Sequence, residues 1–460
     1  MEEELPETIE ECHRLIRSLW AVMGRMQVEI DELKAKVKEN SQNSNRPSSS
    51  DGFKKPKPAF VRQKGKRGGQ KGHRGNTLKR VEKPDLTVDC EPQNCLCGKA
   101  EWTAEGEITE TRQVFEMPEP RLEVIEYRRV KRICKCGRSA VGEFPEKVAG
   151  TVQYGEKVQA LVSLLSVHGC LSYRKIGQLF ADLYGYELNE ATAQKMVQKT
   201  SEMMPMRAIK AEIIAEQVVN FDETGLTENG KLKWLHNAST ARWTYQFVHE
   251  KRGKEAMTDE KSVLPKFKGV AVHDCWGSYF GFSELKHAIC NAHILRELNG
   301  IIENKQTKWA IKMKELLLEM YRKSDFGKGI IEEIGNYKER YRAVLEAAEK
   351  EEPPPERVHR KGKLKRTKGR NLLERLRKHE ESVLRFAVES EVPFTNNQAE
   401  RDIRPTKIKQ KMSGGFRSEN GTQSYCRIQS FISSLRKQSR QVFQELLSVM
   451  QGNHFEIFQT

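Results

Sequence analysis

The 460-residue sequence contains no run approaching the ~18 consecutive apolar residues that a membrane-spanning helix needs, so a helical span is not expected. Its first residues, MEEELPETIEE, lack the basic n-region of a secretory signal, and a cytoplasmic protein is expected. No G-x-x-x-x-G-K-[ST] loop occurs, which argues against chemistry driven by a triphosphate held in such a loop. Between Gly52 and Val81 there is no Asp or Glu, against eleven Lys or Arg. Over the whole chain 80 Lys plus Arg face 64 Asp plus Glu, a formal +16 that favours a polyanionic partner. The ten cysteines, several in tight pairs, read as metal ligands or buried thiols and not as a disulfide framework.

Residues 9 to 37 repeat every seven positions, with Ile9, Ile16, Met23, Ile30 and Val37 on one seam position and Cys12, Leu19, Met26 and Leu33 on the other. That pattern predicts a parallel two-stranded coil, the alternative being an amphipathic helix docked on its own domain. The Ser-, Asn-, Gly- and Lys-rich stretch that follows has little to bury and reads as a disordered arm neutralising phosphates, with Lys64, Lys66, Arg67, Lys71 and Arg74 as its contacts, or as a solubilising linker. Next come two C-x-C-G knuckles, Cys95 and Cys97, then Cys134 and Cys136, joined by strand-like RLEVIEYRRVKRI. Four thiolates in that pattern predict a closed, structural Zn2+ site, with Cys90 as a competing ligand.

The rest of the chain alternates in character. Residues 155 to 204 read as three helices, with Ser172 and Asn189 as N-caps, either a helix-turn-helix or plain helical packing. From Val218 there are strands at VVNF, LKWLHNAS, WTYQFVH, GVAVH and HAIC, then helical, charged sequence to Glu391. The expected architecture is multidomain: a coiled-coil dimerisation helix (1–40), a disordered basic DNA-binding arm (41–85), a zinc-binding ribbon (86–150), a helical, helix-turn-helix-like domain (151–210) and an α/β domain with a mixed five-stranded sheet (211–460) carrying a helical insertion at about 300–391.

Three acids stand out by position. VVNFDETGL puts Asp222 where an apolar strand is expected to stop, and GVAVHDCWG does the same for Asp274. If the two strands are neighbours, both carboxylates reach one sheet edge about 5 Å apart. In PFTNNQAERDIRP, a capping box of Thr395 and Gln398 and a closing Pro405 predict a short helix from about Asn396 to Arg404, with Glu400 in its second turn. Three such carboxylates can hold a pair of Mg2+ ions.

These motifs, with CNAHILREL, SSSDGFKK, GGQKGHRG and the paired cysteines, resemble the transposases of the insertion sequence 66 family nearly end to end. The resemblance implies an RNase H-like DDE catalytic domain with Asp222, Asp274 and Glu400 as catalytic triad and ligands of two Mg2+ ions, Mn2+ substituting. It also implies double-stranded DNA, element ends and target, as partner, a homodimer or higher synaptic oligomer, a nucleoid-associated location, and small accessory proteins in relatives. Arg401, Arg404, Lys407, Lys409 and Lys411 are expected to contact DNA backbone. Cys290 and His293 match the family's C-x-x-H segment, where a structural and a DNA-contacting or proton-shuttling histidine both remain open. The knuckles depart from the family's usual C-x-x-C. The expected activity is hydrolysis at element ends followed by 3′-hydroxyl strand transfer; the rivals are a non-catalytic zinc-containing regulator and a nuclease that does not join.

Overall fold

The computed structural model describes residues 8–44, 46, 51, 78–91, 93, 95–96, 98, 108–305, 307–327, 329–355 and 366–453. The arm residues Lys64, Lys66, Arg67, Lys71 and Arg74, and the knuckle residue Cys97, lie outside the described residues. The chain divides into two units, one of Met1–Phe60, Val148–Leu179 and Glu187–Thr460, the other of Val61–Lys147 with Phe180–Tyr186. No helix among the described residues is long and apolar enough to cross a membrane.

Helix α1 (Ile9–Val37) opens on a capping box in which Thr8 and Glu11 exchange side chain-to-backbone bonds of 3.2 Å. Its apolar stripe is uncovered among the described residues: Ile9, Ile16, Leu19, Met23, Met26, Ile30, Leu33 and Val37 are all exposed. A helix docked on its own domain would bury that stripe, and no described residue does so.

In the second unit, β1 (Lys131–Ile133) and β2 (Ser139–Val141) form an antiparallel hairpin with Ile133 opposite Ser139. The expected strand over RLEVIEYRRVKRI is confined to its last three residues. Val124, Ile125 and Val130 are exposed, because β2 offers only three partners for a ladder. The two knuckles make the same turn. Gly98 N–H donates to the Cys95 carbonyl at 2.9 Å and Gly137 N–H to that of Cys134 at 2.8 Å, with both glycines at positive φ (80° and 82°) that other residues rarely adopt.

Further along the chain come helices α2 (Glu156–Val167), α3 (Tyr173–Tyr184), α4 (Glu190–Glu202) and α5 (Met206–Ala215). Asn189 caps α4 through Ala191 N–H at 2.8 Å. The sheet follows: β3 (Val218–Glu228), β4 (Lys231–Ser239), β5 (Thr244–His249), a short α6 (Lys254–Thr258), β6 (Val270–His273) and β7 (Lys286–Ile289). Spatial order is β5-β4-β3-β6-β7, with β3, β4 and β5 antiparallel and β3, β6 and β7 parallel. The parallel strand β6 is buried along its whole length, as expected for near-continuous apolar sequence covered on both faces.

Helices α7 (Asn291–Lys305), α8 (Lys308–Lys323), α9 (Ile334–Glu351), α10 (Lys368–Lys378) and α11 (Glu380–Leu384) pack round a core that runs from Val272 and Ile289 through Leu298, Trp309, Met313 and Tyr341 to Leu373. The chain then returns to the sheet with α12 (Asn397–Ser413), α13 (Glu419–Lys437) and α14 (Val442–Met450). Helix α13 covers the sheet edge: its Ser430 and Ser434 hydroxyls, one turn apart, accept the Gln246 and Thr244 N–H groups of β5 at 2.9 and 3.0 Å. Helix α4 packs against α2 and α13, with Ser163 bonded to Thr200 (2.9 Å) and Ser201 to Ser424 (3.0 Å).

The expected disordered arm begins instead as a docked turn. Asn43 donates to Glu303 at 2.5 Å, Asn299 donates to the Gln42 carbonyl at 3.2 Å, and a Cβ on Gly300 would sit 2.3 Å from the Asn43 carbonyl oxygen. The Asn and Ser side chains there make turn hydrogen bonds, so polarity alone is a poor guide to order.

Candidate active site

The site is built where β3 outruns β6. Strand β3 does not stop at Asp222. It continues to Glu228, paired antiparallel with β4, and Asp222 lies opposite Asn237. What stops is the parallel neighbour, whose last pair with β3 is Asn220 with Val272. Two residues further along, Asp222 is still on β3, whereas Asp274 lies just past the end of β6, its charge acting on the Asp222 carboxyl. The Asp274 side chain accepts the Trp276 N–H at 3.1 Å, turning the chain away from the sheet.

Alternation along the strand puts Asn220 and Asp222 on one face, and helical periodicity puts Asn396 and Glu400 on one face of α12. The first pair is bonded: Asn220 Nδ2 donates to Asn396 Oδ1 at 2.9 Å. One step further along strand and helix come Asp222 and Glu400, near enough for the Glu400 charge to act on the Asp222 carboxyl. Asn396 also donates through Nδ2 to the Phe221 carbonyl at 2.7 Å and through its backbone N–H to the Cys290 sulfur at 3.1 Å. This one residue, only 2 % exposed, therefore joins the start of α12 to β3 and to the β7–α7 junction.

Helix α12 departs from expectation. Asn396 precedes it with no side-chain cap bond, because its amide is engaged by β3, and Thr395–Gln398 forms no capping box. Pro405 lies inside the helix, which runs on to Ser413 and ends at Gly414 with φ +77°. Proline cannot donate to the Arg401 carbonyl, but Arg401 is exposed and water can meet the loss.

The neighbouring acids differ in how fully they are engaged. Glu223 points away from α12, with Arg252 on Oε1 (2.9 and 2.7 Å) and Tyr279 donating to Oε2 at 2.7 Å. Burial and Asp274 hold its carboxyl above the usual range, while Tyr279 and Arg252 oppose them. Asp402 is buried and saturated: Ser239 (2.6 Å), Thr244 (2.9 Å) and Lys437 (2.6 Å) all reach Oδ2, and Gln398 reaches Oδ1 at 3.3 Å. Glu400 differs, since its buried Oε1 has no hydrogen-bond partner. Burial, then the charges of Glu223, Asp274 and Glu400, push Asp222 well above the ordinary aspartate range, against the Glu223 N–H that lowers it. A crowd of carboxylates with an unpartnered oxygen is a donor set that a hard divalent cation fits.

Glu400 has a second set of neighbours. Cys290, His293 and Glu400 place ligand atoms within 4.8 Å of one another, the one such group of three among the described residues. Burial would lower the His293 imidazole, but Cys290 and Glu400 outweigh it and raise it to about 9. Burial raises the Cys290 thiol, and His293 more than offsets this.

The basic residues after Glu400 separate by position. Arg401, Arg404, Lys407 and Lys411 are exposed, with Arg401 bonded to Gln398 at 2.6 Å and Lys407 to the Gly225 carbonyl. Lys409 turns inward and donates to the Ser166 and Leu171 carbonyls at 2.8 and 3.0 Å, its ammonium lowered to about 8 by burial. It closes the C-terminal end of α2 and is not presented to a partner. Sequence reasoning missed the roles of Asn220, Asp402 and Lys437, whose partners are far away in the chain.

The fold and site thus define an α/β protein with a carboxylate cluster on a mixed sheet, flanked by a basic helix face. Comparison with known families matches residues 151–424 to the Transposase IS66 family and residues 2–79 to a family of unknown function (DUF6444). The first match spans more than half of the chain, which therefore belongs to the Transposase IS66 family. No curated protein matches it.

Proposed function

We propose that the protein is a DDE-type DNA transposase on an RNase H-like sheet, with Asp222, Asp274 and Glu400 as its catalytic carboxylates. The observation that carries this is the convergence just described: Asp222 on β3, Asp274 just past the end of its parallel neighbour β6, and a helix-borne glutamate anchored to β3 through Asn396. The three residues would hold two Mg2+ ions, with Mn2+ as substitute. Magnesium bound there would supply charge that makes a water or sugar hydroxyl a better nucleophile and stabilises the leaving oxygen.

The protein's own part is binding and alignment. Asn396 fixes Glu400 relative to Asp222, the Glu223–Arg252–Tyr279 cluster braces the loop after Asp274, and Arg401, Arg404, Lys407 and Lys411 grip phosphates. In the first step water attacks phosphorus at the element end, and the bond to the 3′-oxygen breaks to leave a 3′-hydroxyl. In the second that oxygen attacks a target phosphodiester, and one ester replaces another. The number of phosphodiesters is unchanged in this step, so no nucleotide is consumed, in accord with a chain that lacks a P-loop motif.

The exposed heptad stripe of α1 fits a second copy of this chain, giving a dimer that brings two element ends together. The matched turns of the two knuckles suit thiolate ligation of a structural Zn2+, with Cys95, Cys97, Cys134 and Cys136 as ligands. A strand-transfer assay with pre-cut, 3′-hydroxyl element ends tests the reading. Joined product is expected from the wild type and none from Glu400→Gln, whereas cutting without any joining of pre-cut ends identifies a simple nuclease.

A further inference from the structure

We propose that Cys290, His293 and Glu400 form a second metal site, for a thiophilic divalent ion of the Zn2+ class and not for Mg2+. The three residues arrive from two places. Cys290 follows β7 directly and His293 lies three residues on in the first turn of α7, so both side chains meet on one side of the helix start. Glu400 comes from α12 across the gap, and the three ligand atoms lie within 4.8 Å of one another.

Two further observations point to a ligand. Glu400 Oε1 is buried without a hydrogen-bond partner beside the paired Cys290 and His293, and an orphaned carboxylate oxygen is costly unless a ligand meets it. The Cys290 sulfur, fully buried, accepts the Asn396 N–H at 3.1 Å, the kind of outer bond that orients a metal-bound thiolate.

The donor set selects the ion. A thiolate, an imidazole and a carboxylate suit zinc or cobalt, whereas Mg2+ takes oxygen ligands. With the thiolate and carboxylate ionised and the imidazole neutral, the ligands carry two negative charges, which a dication cancels. Three protein ligands leave one tetrahedral position open, unlike the closed four-thiolate site proposed for the knuckles.

This site shares Glu400 with the proposed magnesium centre, so an ion held here would fix the orientation of that carboxylate. Its test reads metal binding alone and stands whether or not the protein cuts DNA. Full-length protein stripped of metal is titrated with Co2+ in place of Zn2+, reading cobalt per chain and cobalt–thiolate absorption. Wild type, Cys290→Ser and Glu400→Gln are compared, so that cobalt at the knuckles cancels in the difference. Cys290→Ser is expected to lose one cobalt per chain with part of the thiolate absorption. Glu400→Gln is expected to keep the absorption but bind that cobalt more than about tenfold more weakly. Excess Mg2+ leaves both readings unchanged in the wild type. Equal stoichiometry and absorption in wild type and Cys290→Ser overturn the proposal. If Cys290→Ser does not fold, an unchanged cobalt affinity in Glu400→Gln overturns it instead.

Discussion

Replacing Asn396 by alanine tests how the site is held together. The substitution removes the bonds to Asn220 and to the Phe221 carbonyl and leaves the Asn220 amide, in a side chain with little exposure, without its partner. Each of the two lost bonds is worth about 1 kcal/mol, and an unsatisfied buried amide adds about 1–3 kcal/mol, so a destabilisation of about 3–5 kcal/mol is expected. In a unit of this size that lowers the thermal midpoint by roughly 5 °C or more. The backbone bond to Cys290 survives, so α12 should remain helical but lose its register against β3. A displacement of about 1 Å at Glu400 is expected to reduce turnover about 100-fold with little change in DNA affinity. Thermal unfolding followed by circular dichroism, and magnesium-dependent nicking at saturating DNA, read the two effects separately. A destabilised variant that nicks at the wild-type rate would refute the positioning role, and an unchanged midpoint would refute the energetic argument.

Other consequences follow from the same contacts. Lys437→Met strands the buried Asp402 charge and is expected to cost about 3–5 kcal/mol in urea unfolding, far more than loss of an exposed ion pair. Asp222→Asn should stabilise the metal-free protein, because the carboxyl's folded pKa is raised and its ionised form is disfavoured in the fold. That advantage is complete above the folded pKa and fades as the pH falls through it towards the ordinary 3.8; a variant no more stable than wild type at pH 8 contradicts the reading. Added Mg2+ should raise the wild-type midpoint and leave that of Asp222→Asn nearly unchanged. Arg404→Ala and Lys411→Ala should each lower the slope of log affinity against log salt by about 1, whereas Lys409→Met should leave the slope unchanged and lower stability.

Much of the sheet is legible in the sequence because its strands are short apolar runs separated by turn formers. Asp222 shows the limit of that method. Asp, Thr and Gly after VVNF read as a turn, yet β4 supplies a partner for each of them, and cross-strand pairing outweighs local turn preference. The missed signal was Asn229-Gly230, both at positive φ (48° and 75°), a two-residue hairpin connection that requires β3 to run up to it. Pro405 misled in a similar way, since a helix anchored at its start by Asn396 continues past a proline on an exposed face. The candidate carboxylates were readable as positions at strand exits and on a helix. Their support was not: Asn220 with Asn396, Asp402 with Lys437, and Cys290 with Glu400 are pairings across 35 to 176 residues that no local pattern encodes.

The most direct test of the account is magnesium-dependent nicking of duplex DNA taken from the flanks of the coding region, comparing wild type with Asp222→Asn, Asp274→Asn and Glu400→Gln. The account predicts that each substitution abolishes nicking while DNA binding is retained. Wild-type nicking by any of the three would contradict it.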